Sequence, residues 1–179
     1  LDLAGADLSG ARFENVSFRG ANLAGARIRR TGFKHCDLFG AVLNDVDLTK
    51  VLWIRMDLRG VILRRATLER AVLSGADFSE ADLSGADLSR AVMDNAKLEN
   101  ANLTGAKTFR TMLYRASLKG ADLTGADLSR AIFFEADLSG TRLKGTKLFK
   151  TFLRNSDLSG QDFRGAEFTM CQAGGANMR

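Results

Sequence analysis

The chain has no proline, one histidine, one tryptophan, one tyrosine and two cysteines among its 179 residues. Without proline, nothing in the sequence forces a break in a backbone hydrogen-bond ladder. A lone histidine, His35, excludes a multi-histidine metal centre and offers no obvious general-base geometry. No apolar run approaches the eighteen or so residues that a membrane-spanning helix needs, and no signal-peptide pattern opens the chain. Charge of one sign is lacking too. Lys and Arg number 26 against 21 acidic residues, a net charge of +5. That is mildly basic and argues neither for nor against a nucleic-acid partner.

What is present is a stutter of five residues, and it never slips. Numbering in fives, positions 3, 8, 13 and so on to 178 are centres, and all but Thr108 and Ala173 are Leu, Phe, Ile, Met or Trp. Two residues before each centre stands a small residue, most often alanine, with Leu1, Met56 and Gln161 the only larger ones. Of 18 glycines, sixteen lie two residues after a centre. A period of five fits neither helix nor flat strand. It fits a coil that bends after every short extended segment, with centre and small residue inward and glycine at a corner that needs positive φ.

The number of units per turn is also legible. At twenty-residue spacing the corners Arg30, Lys50, Arg70, Arg90, Arg110, Arg130 and Lys150 form one basic column. At fifteen-residue spacing Arg30 would instead stack on Asp45 and Gly60. Four units per turn therefore predicts a square parallel β-helix of about nine coils, stacked ~4.8 Å apart. It forms a single domain over residues 1–179 with an all-β fold. The repeat is already running at Leu1, so a fragment of a longer protein is expected.

Units such as Ala81-Asp82-Leu83-Ser84-Gly85 and Ala121-Asp122-Leu123-Thr124-Gly125 read A(D/N)LxG. In this the chain strongly resembles the pentapeptide repeat family, along its whole length. The resemblance implies a right-handed quadrilateral parallel β-helix, consistent with the handedness of parallel crossovers. It also implies a choice of roles: some members are thought to protect bacterial topoisomerases from quinolones by mimicking DNA, and others look like secreted effectors or accessories.

Nothing in the chain reads as an enzyme, and no cofactor or metal site is expected. His35 falls at a solvated corner between Asn15 and Arg55. Cys36 and Cys171 occupy inward small-residue slots on the order of 32 Å apart, beyond disulfide reach. They read as reduced core residues of a reducing compartment. Thirteen of the fifteen aspartates stand directly before a centre, so they come with the repeat and read as a solvated face. On one face Asp47, Asp87 and Asp127 alternate with Arg27, Lys107 and Lys147, which reads as ion pairing between coils.

One column departs from the repeat. The outward slot that elsewhere holds mostly Asp, Asn, Ser, Lys or Arg holds Leu52, Val72, Val92, Met112, Ile132 and Phe152, with Ile54, Tyr114 and Phe134 two residues further along. This apolar stripe runs ~24 Å beside the basic ladder. A contiguous exposed apolar patch marks an interaction site. The reading is a non-catalytic docking rod for a protein partner or a second copy, within a bacterial effector or secretion accessory. The compartment expected is the cytoplasm, or export by a secretion system that uses no signal peptide. The ladder's charge is expected to be answered by acidic neighbours such as Asp87 and Asp127 with the long stems lying over apolar surface, or else by a polyanion or an acidic partner. Direct nucleic-acid binding would want stacking aromatics interleaved with the ladder and a recognisable binding motif, and neither is expected here. The alternative function, a DNA-mimic protector or inhibitor of DNA gyrase, needs a predominantly acidic surface that net +5 opposes.

Overall fold

The computed structural model describes residues 1–179, and every backbone pairing in it links a residue to the one twenty places on. Pairs such as Val72↔Val92, Asp82↔Asn102 and Ile132↔Phe152 are all parallel. Four five-residue units thus make one turn of a four-sided coil. Only four segments extend to three residues: β1 (Arg12–Glu14) paired with β2 (Gly32–Lys34), and β3 (Lys147–Phe149) paired with β4 (Glu167–Thr169). Elsewhere each side is a single bridging residue between two bends.

The unit 81–85 shows why five residues close a side. The Leu83 N–H donates to the Asn102 carbonyl at 2.8 Å and the Gly85 N–H to the Thr104 carbonyl at 2.9 Å, both one coil on. The Asp82 N–H donates back to Val61 O at 2.9 Å, and the Ala86 N–H closes the corner onto Leu83 O at 3.0 Å. That leaves Ser84, whose N–H has no backbone acceptor. It donates to the Asp82 carboxylate at 3.0 Å. All thirteen repeat aspartates serve the N–H two residues on in this way, and Asn22 and Asn102 do the same. A short carboxylate or amide at that slot satisfies the one donor the fold would otherwise leave unpaired.

Every fifth residue from 5 to 175 is left-handed, with φ between 52 and 74°. Sixteen of these corners are glycine, and nineteen carry a side chain, Arg30 (φ 57°) and Lys150 (φ 54°) among them. A non-glycine residue there costs on the order of 1 kcal/mol, so the corners are held by the hydrogen bonds on either side of them.

Inside, the centres stack by column. Leu23, Leu43, Leu63, Leu83, Leu103, Leu123 and Leu143 are buried along one wall, with Leu3 half-buried at the open end. Phe33, Trp53 and Phe133 are buried on another, below a half-buried Phe13 that stacks on Phe33 at 5.7 Å between ring centroids. Toward the C-terminal end, buried hydroxyls replace the small alanines. Thr111 and Thr151 donate to the carbonyls of Leu88 and Leu128 at 2.7 and 2.9 Å, and Ser156 to that of Phe133. Thr108, the polar centre, points inward and donates to Asp127 O at 3.1 Å, a carbonyl already bonded to its own N–H at 2.8 Å.

Three outcomes are expected from this bonding. Asp127→Ala removes the acceptor for the Ser129 N–H, now 3.0 Å away, and lowers stability by about 1 kcal/mol, while Asp127→Asn keeps an acceptor and is near neutral in thermal melts. Thr108→Leu leaves no carbonyl unbonded and fills a wall between Leu88 and Leu128. It is expected to stabilise by about 1 kcal/mol, and a clear loss would mean the column has no room.

The third concerns pH. Asp47 is held below the ordinary carboxyl value by its Thr49 hydrogen bonds and Asp57 by Arg59. In Asp82 and Asp122 burial pushes up, but Ser84 with Arg64, and Thr124 with Arg142, outweigh it. Asp162 is lowered to about 2, chiefly by hydrogen bonding from Arg164. Folding therefore favours the ionised carboxylates. Their contribution is complete above the unfolded value near ~3.9 and is lost as pH falls through the lowered folded values. Melting temperatures should be flat down to about pH 5 and fall steeply below about pH 4.

Candidate interaction face

The stripe stands on one face as a continuous column, bonded rung to rung from Leu52↔Val72 to Ile132↔Phe152. Leu52 (70 % exposed), Ile54, Met112 and Phe152 are open to water. Val72, Val92, Tyr114, Ile132 and Phe134 are half-buried. These rungs also lose what the aspartate slot supplies. With Leu52, Val72, Val92, Ile132 and Phe152 in that slot, the N–H groups of Ile54, Ser74, Asp94, Phe134 and Arg154 receive no side-chain acceptor. Only the Tyr114 N–H finds one, the Asp94 carboxylate of the previous coil at 3.2 Å.

The far edge of the face is an aromatic stack. The Tyr114 and Phe134 rings lie 5.6 Å apart and nearly parallel. Arg115 packs over Tyr114 at 4.6 Å and pairs with Glu135 at 2.7 Å. Arg154 lies 5.9 Å over Phe134. These two aromatics are therefore partly answered within the chain, whereas Met112 and Phe152 are not.

The basic ladder divides into three parts. Arg30 and Lys50 border the broad N-terminal groove that also takes in Arg12, Phe33 and Trp53. Arg70 and Arg90 approach Glu69 at 3.5 and 3.8 Å. Arg110 and Arg130 lie 5.3 and 5.9 Å from the Phe109 ring, and Lys150 5.1 Å from that of Phe149. Glu69, and not Asp87 or Asp127, thus answers part of the ladder; those two aspartates accept from their own Ser89 and Ser129 N–H groups and meet no ladder cation. The expected absence of interleaved aromatics is likewise corrected. Phe109 and Phe149 stand in the slot just before the ladder residue, and the ladder's own cations cover them.

Other expectations resolve plainly. Arg27 pairs with Asp7 at 2.9 Å, but Lys107 and Lys147 make no ion pair with their neighbours Asp87 and Asp127. On the opposite face Asp37, Asp57 and Asp77 are countered by Arg19, Arg59 and Lys97 at 3.6, 2.7 and 3.7 Å. Exposed pairs of this kind contribute little each. His35 is an exposed corner with φ 52°. Cys36 and Cys171 are free thiols, half-buried. No three His, Cys, Asp or Glu side chains converge on a metal-sized site. No helix is long and apolar enough to cross a membrane.

The pentapeptide repeats family matches the chain in 8 copies, over residues 2–34, 36–75, 71–107, 113–148 and 143–179. No curated protein matches it. Among solved structures, HetL, a pentapeptide repeat protein involved in heterocyst differentiation regulation from the cyanobacterium Nostoc sp. strain PCC 7120, is 28% identical over 99% of this chain and 88% of its own, with a TM-score of 0.69. A pentapeptide repeat protein of the Arabidopsis thaliana thylakoid lumen is 37% identical over 51% of this chain and 68% of its own, with a TM-score of 0.44. QnrB1, a plasmid-mediated fluoroquinolone resistance protein, is 16% identical over 93% of this chain and 83% of its own, with a TM-score of 0.42. The repeat, the four-sided parallel coil, the family match and the likeness to HetL agree: the chain belongs to the pentapeptide repeat family and has its right-handed β-helix fold.

Proposed function

We propose that this chain is a non-catalytic docking rod that binds a protein, a partner or a second copy, through the apolar stripe and its basic rim. The observation that carries this is the exchange at the aspartate slot. At Leu52, Val72, Val92, Met112, Ile132 and Phe152 the chain gives up a side chain that both solvates the face and satisfies a turn N–H. In its place it exposes hydrocarbon to water, a loss on both counts for an isolated rod. β-branched residues steadying a flat sheet face account for Val72, Val92 and Ile132. They do not account for Met112 and Phe152, which stand open at 41% and 37% exposure.

A rod that acts by binding needs no cofactor, and it fits the regulatory role of the similar HetL. The reduced thiols fit work in the cytoplasm, or export by a system that needs no signal peptide. A DNA-mimicking gyrase protector needs a predominantly acidic surface, and although aspartates stack on parts of this rod, its net charge of +5 opposes that role.

The test is Met112→Asp with Phe152→Asp. Phe152→Asp restores the repeat's own acceptor for the Arg154 N–H, and Met112→Asp offers the Tyr114 N–H a local one in place of the Asp94 carboxylate it now meets, so the melting temperature should hold. Sedimentation velocity should show loss of self-association, or affinity capture the loss of a defined bound protein. A folded double variant that sediments and binds like the parent would reduce the stripe to a sheet face.

A further inference from the structure

Resting on the docking reading, we propose that the C-terminal half of the stripe seats an acidic amphipathic α-helix of a partner protein, its axis running along the rod. The seat is a shallow groove of about 420 Å³ lined by Arg110, Arg130 and Lys150 on one wall and Met112, Ile132 and Phe152 on the other. Unlike Arg70 and Arg90, which share Glu69, these three cations have no carboxylate in ion-pair range. The Phe109 and Phe149 rings hold them on the corner without cancelling their charge. The groove therefore asks for two things side by side: a row of negative charge and a row of hydrocarbon.

Spacing selects the form of that ligand. The rungs repeat every ~4.8 Å. Acidic residues at alternating three- and four-residue spacing on a helix recur about every 5.3 Å along its axis. They stay within about 1 Å of register across the three rungs. Alternate residues of an extended strand recur every ~6.6 to 6.8 Å and lose register by the second rung. A helix also carries an apolar stripe beside its acidic one, which sets Leu, Met or Phe side chains against Met112, Ile132 and Phe152. Nucleic acid would answer the cations and leave that wall wet. A second copy of this all-β rod supplies no helix. The whole stripe from Leu52 to Phe152, ~24 Å, matches about sixteen helical residues.

The experiment uses labelled eighteen-residue peptides and the intact chain, read by fluorescence anisotropy and circular dichroism. One peptide places Glu at helical three- and four-residue spacing beside a Leu stripe. A second has the same composition in strict Glu/Leu alternation, a third carries Lys for Glu, and an eighteen-base-pair DNA duplex is the fourth probe. The helical acidic peptide should bind at least tenfold tighter than the other three probes and gain helicity on binding. Arg110→Glu with Arg130→Glu and Lys150→Glu should lose that binding at least tenfold and take up the Lys peptide instead. Arg130→Gln, a milder change, should weaken it severalfold if the triple variant does not fold. Equal binding of the alternating peptide, tighter binding of DNA, bound peptide without helicity, or no peptide binding at all would each overturn the proposal. If the alternating peptide binds and Met112→Asp with Phe152→Asp abolishes it, the docking face stands and only the helical partner falls.

Discussion

One unpaired N–H per side is the constraint on which this fold turns. Four of the five donors in each unit are taken by the coil above, the coil below or the corner. The fifth, one residue past the centre, faces outward with no backbone to meet it. A short acceptor two residues earlier satisfies it, which is why aspartate and asparagine recur there and why they need no catalytic explanation. The same bond fixes the entry to each bend, and the bend delivers the next residue into the left-handed conformation found at all the corners. The inward alternation of small and large residues follows from that geometry, since a coil this narrow admits one bulky centre per side.

Given that constraint, the stripe stands out as a chemical exchange and not a lapse in polarity. Six rungs forgo the acceptor, and their neighbours show how unevenly the face is compensated. Tyr114 and Phe134 stack on each other beneath two guanidinium groups. Met112, Ile132 and Phe152 instead share a groove with cations that have only aromatic rings for company. On the face of Asp37, Asp57 and Asp77 the charges are paired within the chain, and in this groove they are not.

Much of this could be read from residue spacing. The twenty-residue period, the inward centres and the inward hydroxyl of Thr108 all follow from a register that resumes unaltered at Leu113. The role of the aspartates did not follow, although the Ser or Thr two residues after Asp77, Asp82, Asp87 and Asp122 was a usable sign of a local side-chain turn. Glu69 is hard to read as the ladder's counter-charge because it stands outside the ladder's column, meeting Arg70 next to it in sequence and Arg90 one coil on, contacts that depend on side-chain direction and not on column membership. Phe109 and Phe149 were missed for the same reason. Arg27 met Asp7 and Lys97 met Asp77 as column neighbours should, whereas Lys107 beside Asp87 did not; exposed pairs gain so little that column membership alone does not decide which of them form.

The twenty-residue bonding offset also limits how such a rod can lengthen or shorten. Inserting or deleting a single residue would turn every later centre out of the core. Inserting one whole unit would keep the core intact but rotate everything after it by a quarter turn, carrying Phe152 from its place above Ile132 onto the adjoining side. Only gains or losses of twenty residues preserve both the core and the alignment of a face. A stripe kept in line over six successive rungs therefore ties the chain to growth by complete turns, and its surface pattern is inherited in those steps.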